Sequence, residues 1–157
     1  MTVSGADAKK YSLKLLSYRG RSEKELRDRL AARGFGQEII SSTVDYLKTA
    51  GFLDDSLLAA SLKRQAFEGK LCGYKAAKLL MYKRGLSRDV IESALQYDEE
   101  IELCTLQKLL DKKMRSMGKY HSLNDRKKLW NFLMRKGYSS GTIRKILKCP
   151  DNDEEAL

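Results

Sequence analysis

Large apolar residues flank three glycines of this chain at the same offsets. Leu30, Met81 and Leu133 lie four positions before Gly34, Gly85 and Gly137, and Leu26, Ala77 and Leu129 lie eight before. Ile40, Ile91 and Ile143 lie six positions after the glycines, and Val44, Leu95 and Leu147 ten after. A spacing of four residues is one helical turn. The pattern therefore predicts a helix with one buried face on each side of every glycine. Glycine takes φ > 0 without a Cβ penalty, so each is expected to stop the first helix as its C′ residue. A basic residue precedes each glycine (Arg33, Arg84, Lys136) and a large apolar one follows it (Phe35, Leu86, Tyr138). The glycines are 51 and 52 residues apart, a fixed period that marks a repeat architecture.

The polar positions place the remaining boundaries. Ser87 and Ser139 stand where the helix after the turn needs an N-cap, and Gly36 fills that slot more weakly in the first repeat. Ser22-Glu23-Lys24-Glu25 reads as a capping box opening the helix that carries Leu26 and Leu30. Ahead of it, a helix is expected over residues 8–19, with a frayed segment before it and Gly20 after it. The helix with Ile39, Ile40, Val44 and Leu47 should stop at Gly51. Asp54 and Asp55 read as an N-cap and its neighbour, where negative charge meets the helix dipole. Further helices are expected over 56–68, 74–84, 87–96 and roughly 98–117. The Asp98-Glu99-Glu100 cluster suits the start of the last of these. Residues 118–121, with the single histidine His121, read as loop. Residues 122–125 open a helix holding Leu129, Phe132 and Leu133, and a final helix carries Ile143, Ile146 and Leu147. The expected fold is all-α, an elongated array of three tandem three-helix repeats. Their bounds are 1–53, 54–97 and 98–150, followed by a disordered acidic tail, 151–157.

Charge narrows the function. The chain has 157 residues and a net charge of +10. Its three segments carry +4, +3 and +7, and residues 112–148 hold twelve bases against one acid, Asp125. Such an excess favours a polyanion or an acidic protein surface as partner. Two helices about a short glycine turn also suggest a helix-turn-helix, whose second helix reads DNA bases. Here those helices begin Gln37-Glu38 and Arg88-Asp89 and continue with acids (Asp45, Glu92), which phosphate would repel; only residues 141–145 suit that role. Trp130, near Lys127 and Met134, is read as packed between repeats in preference to a base-stacking platform.

Enzyme signatures are missing from the sequence: there is no G-x-G-x-x-G, G-x-x-x-x-G-K-[ST], H-E-x-x-H or G-x-S-x-G. One histidine excludes most Ser/His and Cys/His arrangements. Most acids sit at helix starts or one turn from a base, as Glu23 does from Arg27. Cys72, Cys104 and Cys149 are widely spaced, without C-x-x-C, and read as reduced thiols with no metal or other cofactor. No secretion signal and no membrane-length apolar run is visible, so a cytoplasmic, non-enzymatic protein is expected.

Several stretches resemble the RecX family of regulatory proteins, modulators of the RecA recombinase. They are Ser22-x-x-Glu25-Leu26-x-x-x-Leu30 into Arg33-Gly34-Phe35, and Gly51-Phe52-Leu53-Asp54-Asp55 with Ala59. Lys63-Arg64 leading to Gly69-Lys70, then Lys83-Arg84-Gly85-Leu86 and Ile91-x-x-Ala94-Leu95, continue the likeness. It covers residues 10–148. Two positions depart from the family pattern: Leu58 stands where an aromatic is usual, and Cys72-Gly73-Tyr74 where Gly-Pro is common.

The resemblance implies a protein without catalytic residues that lies along the helical groove of the RecA–DNA filament and curbs recombination and ATP hydrolysis. Nucleic-acid phosphates within that filament would be a second contact, and a monomer is expected. The residues expected to dock on such a partner are Lys63, Arg64, Lys70, Lys75, Lys78, Lys83 and Arg84 in the middle repeat. Arg126, Lys127, Arg135, Lys136, Arg144 and Lys145 join them from the last repeat. The alternative is a non-sequence-specific DNA- or RNA-binding protein that uses the basic C-terminal repeat directly.

Overall fold

The computed structural model describes residues 4–117 and 123–148. Among them are nine α-helices, one π-helical turn and no strand: α1 (Gly5–Tyr18), α2 (Glu23–Ala32), α3 (Gln37–Thr49), α4 (Asp55–Arg64), the π turn (Gln65–Gly69), α5 (Tyr74–Lys83), α6 (Arg88–Ala94), α7 (Glu99–Met117), α8 (Leu123–Arg135) and α9 (Ser140–Leu147). The all-helical expectation holds. The expected loop with His121, the thiol of Cys149 and the acidic tail lie outside the described residues.

All three glycine turns are closed the same way. Gly34, Gly85 and Gly137 have φ of +88°, +75° and +85°. The glycine amide donates to the carbonyl three residues back (Ala31, Tyr82, Met134). The next amide donates five residues back, from Phe35 to Leu30, Leu86 to Met81 and Tyr138 to Leu133. That is a Schellman motif with its apolar contact. The apolar residues at minus four and plus one are the two ends of this closure, and all six are buried.

Several boundaries differ from expectation. α1 begins at Gly5, because Ser4 and Asp7 form a capping box where a frayed segment was expected. The helix expected over 56–68 begins one residue earlier, since Asp54 accepts from the Ser56 and Leu57 amides. It also widens into the π turn at Gln65, where the Lys70 amide donates five residues back to Gln65. α6 ends at Ala94, short of the expected residue 96. The expected caps at Ser22, Ser87 and Ser139 are present, and Gly36 makes no side-chain cap bond.

The described residues divide between two units. The first comprises Met1–Ser61 with Met81–Ala94, and the second Leu62–Leu80 with Leu95–Leu157. In the first, α1 packs on α2 and α3 around Ala8, Leu26, Leu30, Phe35, Ile40, Val44, Leu47 and Leu53. In the second, α7, α8 and α9 enclose Leu106, Leu109, Leu110, Leu129, Leu133, Tyr138 and Ile143. Beside them three rings, Phe67, Tyr74 and Tyr97, pack in tilted and edge-on pairs with centroids 4.9 and 5.0 Å apart. Tyr74 stands in the Gly-Pro position of the family pattern, and its hydroxyl accepts from the Asp98 amide at 3.1 Å.

Candidate functional site

The basic residue before each glycine has a structural use that its charge alone does not reveal. In the first unit the second turn rests on the start of α2. Arg84 donates to Glu25 at 3.0 Å and to the Gly20 carbonyl at 2.6 Å. A Cβ on Gly85 would come within 2.9 Å of Ser22 Oγ. In the second unit the third turn rests in the same manner on the start of α5. The Gly73 amide donates to the Lys136 carbonyl at 2.9 Å, and the Lys75 amide to the Gly137 carbonyl at 3.2 Å. Lys136 Nζ donates to the Lys70 carbonyl at 3.2 Å, and the Tyr138 hydroxyl to the Leu71 carbonyl at 2.9 Å. Leu71 adopts a left-handed φ of +46°. Gly73 and Gly137 meet so closely that a Cβ on either would fall on the other segment's backbone. The first turn differs. Space around Gly34 is open, and Arg33 lies over the Tyr11 ring at 4.8 Å.

This seating accounts for two of the predicted docking residues. Arg84 and Lys136 are both half-buried and both tied to a carbonyl of the segment they rest on. The others fall as follows. Lys63 and Arg64 end α4, half-buried and exposed respectively. Lys70 is exposed on the loop under the third turn. Lys75, Lys78 and Lys83 are exposed on α5. Arg126 is half-buried and donates to the Leu147 carbonyl at 3.4 Å, whereas Lys127 and Arg135 are exposed on α8. Arg144 lies 5.9 Å from the centre of the half-buried Trp130 ring, which packs against the core of the second unit. Lys145 pairs with Glu99. The third turn thus gathers Lys70, Lys75 and Lys136 at one junction. Lys83 and Arg84 belong to the first unit and the remaining residues to the second.

Two features were not foreseen from the sequence. Phe132 lies under two ammonium groups, with Lys113 at 4.1 Å and Lys136 at 5.8 Å from its ring centre. Leu79 and Tyr82 are 53% and 43% exposed on α5, amid its lysines. Their spacing from Lys75 and Lys78, one and two helical turns, was the available signal.

The acids are arranged for structure. Within the first unit, Glu23, Arg27, Lys48, Asp54, Asp55 and Tyr82 line an open groove of about 990 Å³. Glu23 takes Lys48 and Arg27 at 2.9 Å each, and the bond from Lys48 chiefly holds its carboxyl below the usual range. Burial would raise the Glu25 carboxyl, but bonds from Arg19 and Arg84 outweigh it and bring it below the ordinary value. Asp55 accepts from the Glu23 amide at 2.9 Å, and burial pushes its carboxyl up. In the second unit the buried Glu102 accepts from Thr142 Oγ1 at 2.6 Å and Tyr97 at 3.1 Å, tying α7 to α9. Among the described residues no group of three or more His, Cys, Asp or Glu could hold a metal ion. No helix there is long and apolar enough to cross a membrane.

Glycine turns that join α2 to α3, α5 to α6 and α8 to α9 in the same closed form mark a helical repeat protein, and comparison identifies its class. Profiles of the RecX first and third three-helix domains match residues 8–47 and 99–147. The regulatory protein RecX of Thermotoga maritima is 35% identical over 146 residues, covering 92% of this chain and 85% of the relative. That of Oceanobacillus iheyensis is 31% identical over 150 residues, 94% of this chain, and that of Clostridium botulinum 32% over 131 residues, 82% of this chain. The chain spans 55% and 61% of the length of these last two. A crystal structure of RecX from Lactobacillus salivarius superposes with a TM-score of 0.79 at 25% identity, covering 92% of this chain and 94% of that one. The chain belongs to the RecX family of regulatory proteins.

Proposed function

We propose that the chain binds the RecA–DNA filament and lowers its recombinase and ATPase activities. It would thereby act in the control of DNA recombination, repair and the SOS response. On this reading it works in the cytoplasm as a monomer, by binding alone and without a reaction or cofactor of its own. Its three repeats would be residues 1–53, 54–97 and 98–150. Family membership supports the regulatory role. The observation that carries the mode of action is the surplus of base over acid between residues 112 and 148, with Lys127 and Arg135 exposed there. A filament groove presents acidic protein and phosphate together, and both attract Lys and Arg.

The docking set proposed is Lys63, Arg64, Lys70, Lys75, Lys78, Lys83, Arg126, Lys127, Arg135, Arg144 and Lys145. Arg84 and Lys136 would contribute through the turns they clamp. A combined R64E, K70E, K127E and R135E variant tests it, because all four side chains are exposed and none is needed for a turn. The expected result is at least a tenfold higher concentration for half-inhibition of RecA. Unchanged inhibition would show that the docking face lies elsewhere. The same basic excess supports direct DNA or RNA binding as a second reading. That reading requires tight binding without RecA and a steep loss of affinity with salt.

A further inference from the structure

We infer that the outward face of α8 takes the sugar–phosphate backbone of a DNA strand. Asn124, Lys127, Lys128, Asn131 and Arg135 recur one helical turn apart, so they share one arc of the helix, opposite the buried Leu129 and Leu133. All five are exposed, and all belong to the second unit. From Asn124 to Arg135 the arc runs about 16 Å. No acid stands in it: Asp125, the one acid of α8, is half-buried and lies outside the arc. Among the described residues Lys127, Lys128 and Arg135 make no ion pair and no hydrogen bond. The asparagines set this face apart. On other helices a base is paired with an acid one turn away: Lys24 with Asp28 and Arg27 with Glu23 on α2, and Arg88 with Glu92 on α6. On α8 the place one turn from each base is held by asparagine, Asn124 for Lys128 and Asn131 for both Lys127 and Arg135. The positive charge is left unneutralised, and each amide offers a donor where a carboxylate would repel phosphate. A face kept for solubility alone mixes both signs and has no need to exclude acids. Lys, Arg and Asn together are the side chains that contact nucleic-acid backbones. An acidic protein surface fits less well. Protein interfaces are depleted in lysine and anchored by aromatic or apolar side chains, and the middle of this arc offers no such anchor; Met134 stands only at its edge.

The inference rests on the filament-binding reading and names the contact within it that meets nucleic acid. It is tested with three variants of the full chain, each checked for native helicity and melting. K127Q/K128Q/R135Q removes the charge of the face, and N124D/N131D places acids at the pairing distance. K10Q/K14Q/R29Q removes three exposed bases of the first unit as a control for net charge. Affinity for an oligothymidylate strand is followed by fluorescence anisotropy over a range of salt concentrations. K127Q/K128Q/R135Q is expected to weaken binding at least tenfold and to lower the slope of log affinity against log salt by about 2, three bases at about 0.7 each. N124D/N131D should weaken binding at least fivefold, and K10Q/K14Q/R29Q should stay within threefold of wild type. Equal losses in the α8 triple and the control triple would reduce the effect to net charge and overturn the assignment. A wild-type chain that leaves the strand unbound even at low salt would overturn it as well. The same proteins are then titrated onto RecA filaments. If K127Q/K128Q/R135Q loses filament affinity but keeps its affinity for the bare strand, the face serves an acidic protein surface and the inference is wrong. If the wild-type chain binds filaments no better than the bare strand, the filament reading fails, and the α8 contact is judged by the salt slope alone.

Discussion

Replacing each turn glycine by alanine should give three different losses of stability. All three have φ between +75° and +88°, where an L-residue is disfavoured by about 1–2 kcal/mol. Alanine recovers about 0.4–1 kcal/mol by restricting the unfolded chain. At Gly34 nothing lies within 4 Å of the new methyl, so the net loss is about 1 kcal/mol. At Gly85 the methyl meets Ser22 Oγ at 2.9 Å and Lys24 Cβ at 3.2 Å, both side-chain atoms with some room to move. Overpacking adds about 1–2 kcal/mol there, toward the low end of its usual range. At Gly137 the methyl would meet Ala76 Cβ at 2.6 Å and the Ala76 backbone. Those cannot yield without breaking the bond from Lys75 to Gly137. A total near 3–4 kcal/mol follows, about 6–16 °C in melting temperature for a chain of this size. Urea unfolding followed by far-UV circular dichroism measures all three. The single Trp130 reports on the second unit, which contains Gly137. A G34A loss as large as that of G137A would refute the idea that the last two turns are seated and the first is open.

Two further outcomes follow from the buried and paired acids. E102A should lose about 2–4 kcal/mol, because Thr142 and Tyr97 both donate to that buried carboxyl; E102Q, which keeps an acceptor, should lose less than half as much, read by melting. Glu23 and Glu25 are held below their ordinary value of 4.5, so their contribution is present above that pH and is lost as pH falls through their folded-state values. Asp55 is raised and acts in the opposite sense, its protonation favouring the folded chain as pH falls. E25Q should therefore flatten the acid limb of the stability curve and D55N should steepen it; a D55N limb no steeper than wild type would contradict the assigned direction.

The local parts of the fold were legible because their causes are local. Leu30 and Phe35 bracket a glycine at the spacing a Schellman closure requires, and Met81 with Leu86 and Leu133 with Tyr138 repeat it. The caps at Ser22, Asp54 and Ser139 depend on neighbours within three residues. The start of α1 was legible too, since Ser4-x-x-Asp7 has the capping-box pattern, but its small polar surroundings read as frayed. What each turn rests on was not legible. Arg84 reaches Gly20 across 64 residues and Lys136 reaches Lys70 across 66. No periodicity in the sequence distinguishes such a clamp from a docking charge. The π turn was hidden for a related reason. It lies in a stretch whose composition suits an ordinary helix, and nothing in that composition signals the five-residue bond from Lys70 to Gln65. The basic surplus was visible from the sequence, whereas the division of its members into clamping, paired and exposed side chains needed coordinates.

Regulation of the filament by binding, as proposed, can be checked in a single titration. The ATPase rate of the cognate RecA on single-stranded DNA is followed as this protein is added, with its own affinity for that DNA measured in parallel. Inhibition is expected at protein concentrations too low to coat the DNA. No inhibition, or inhibition only where the protein saturates free DNA, would contradict it.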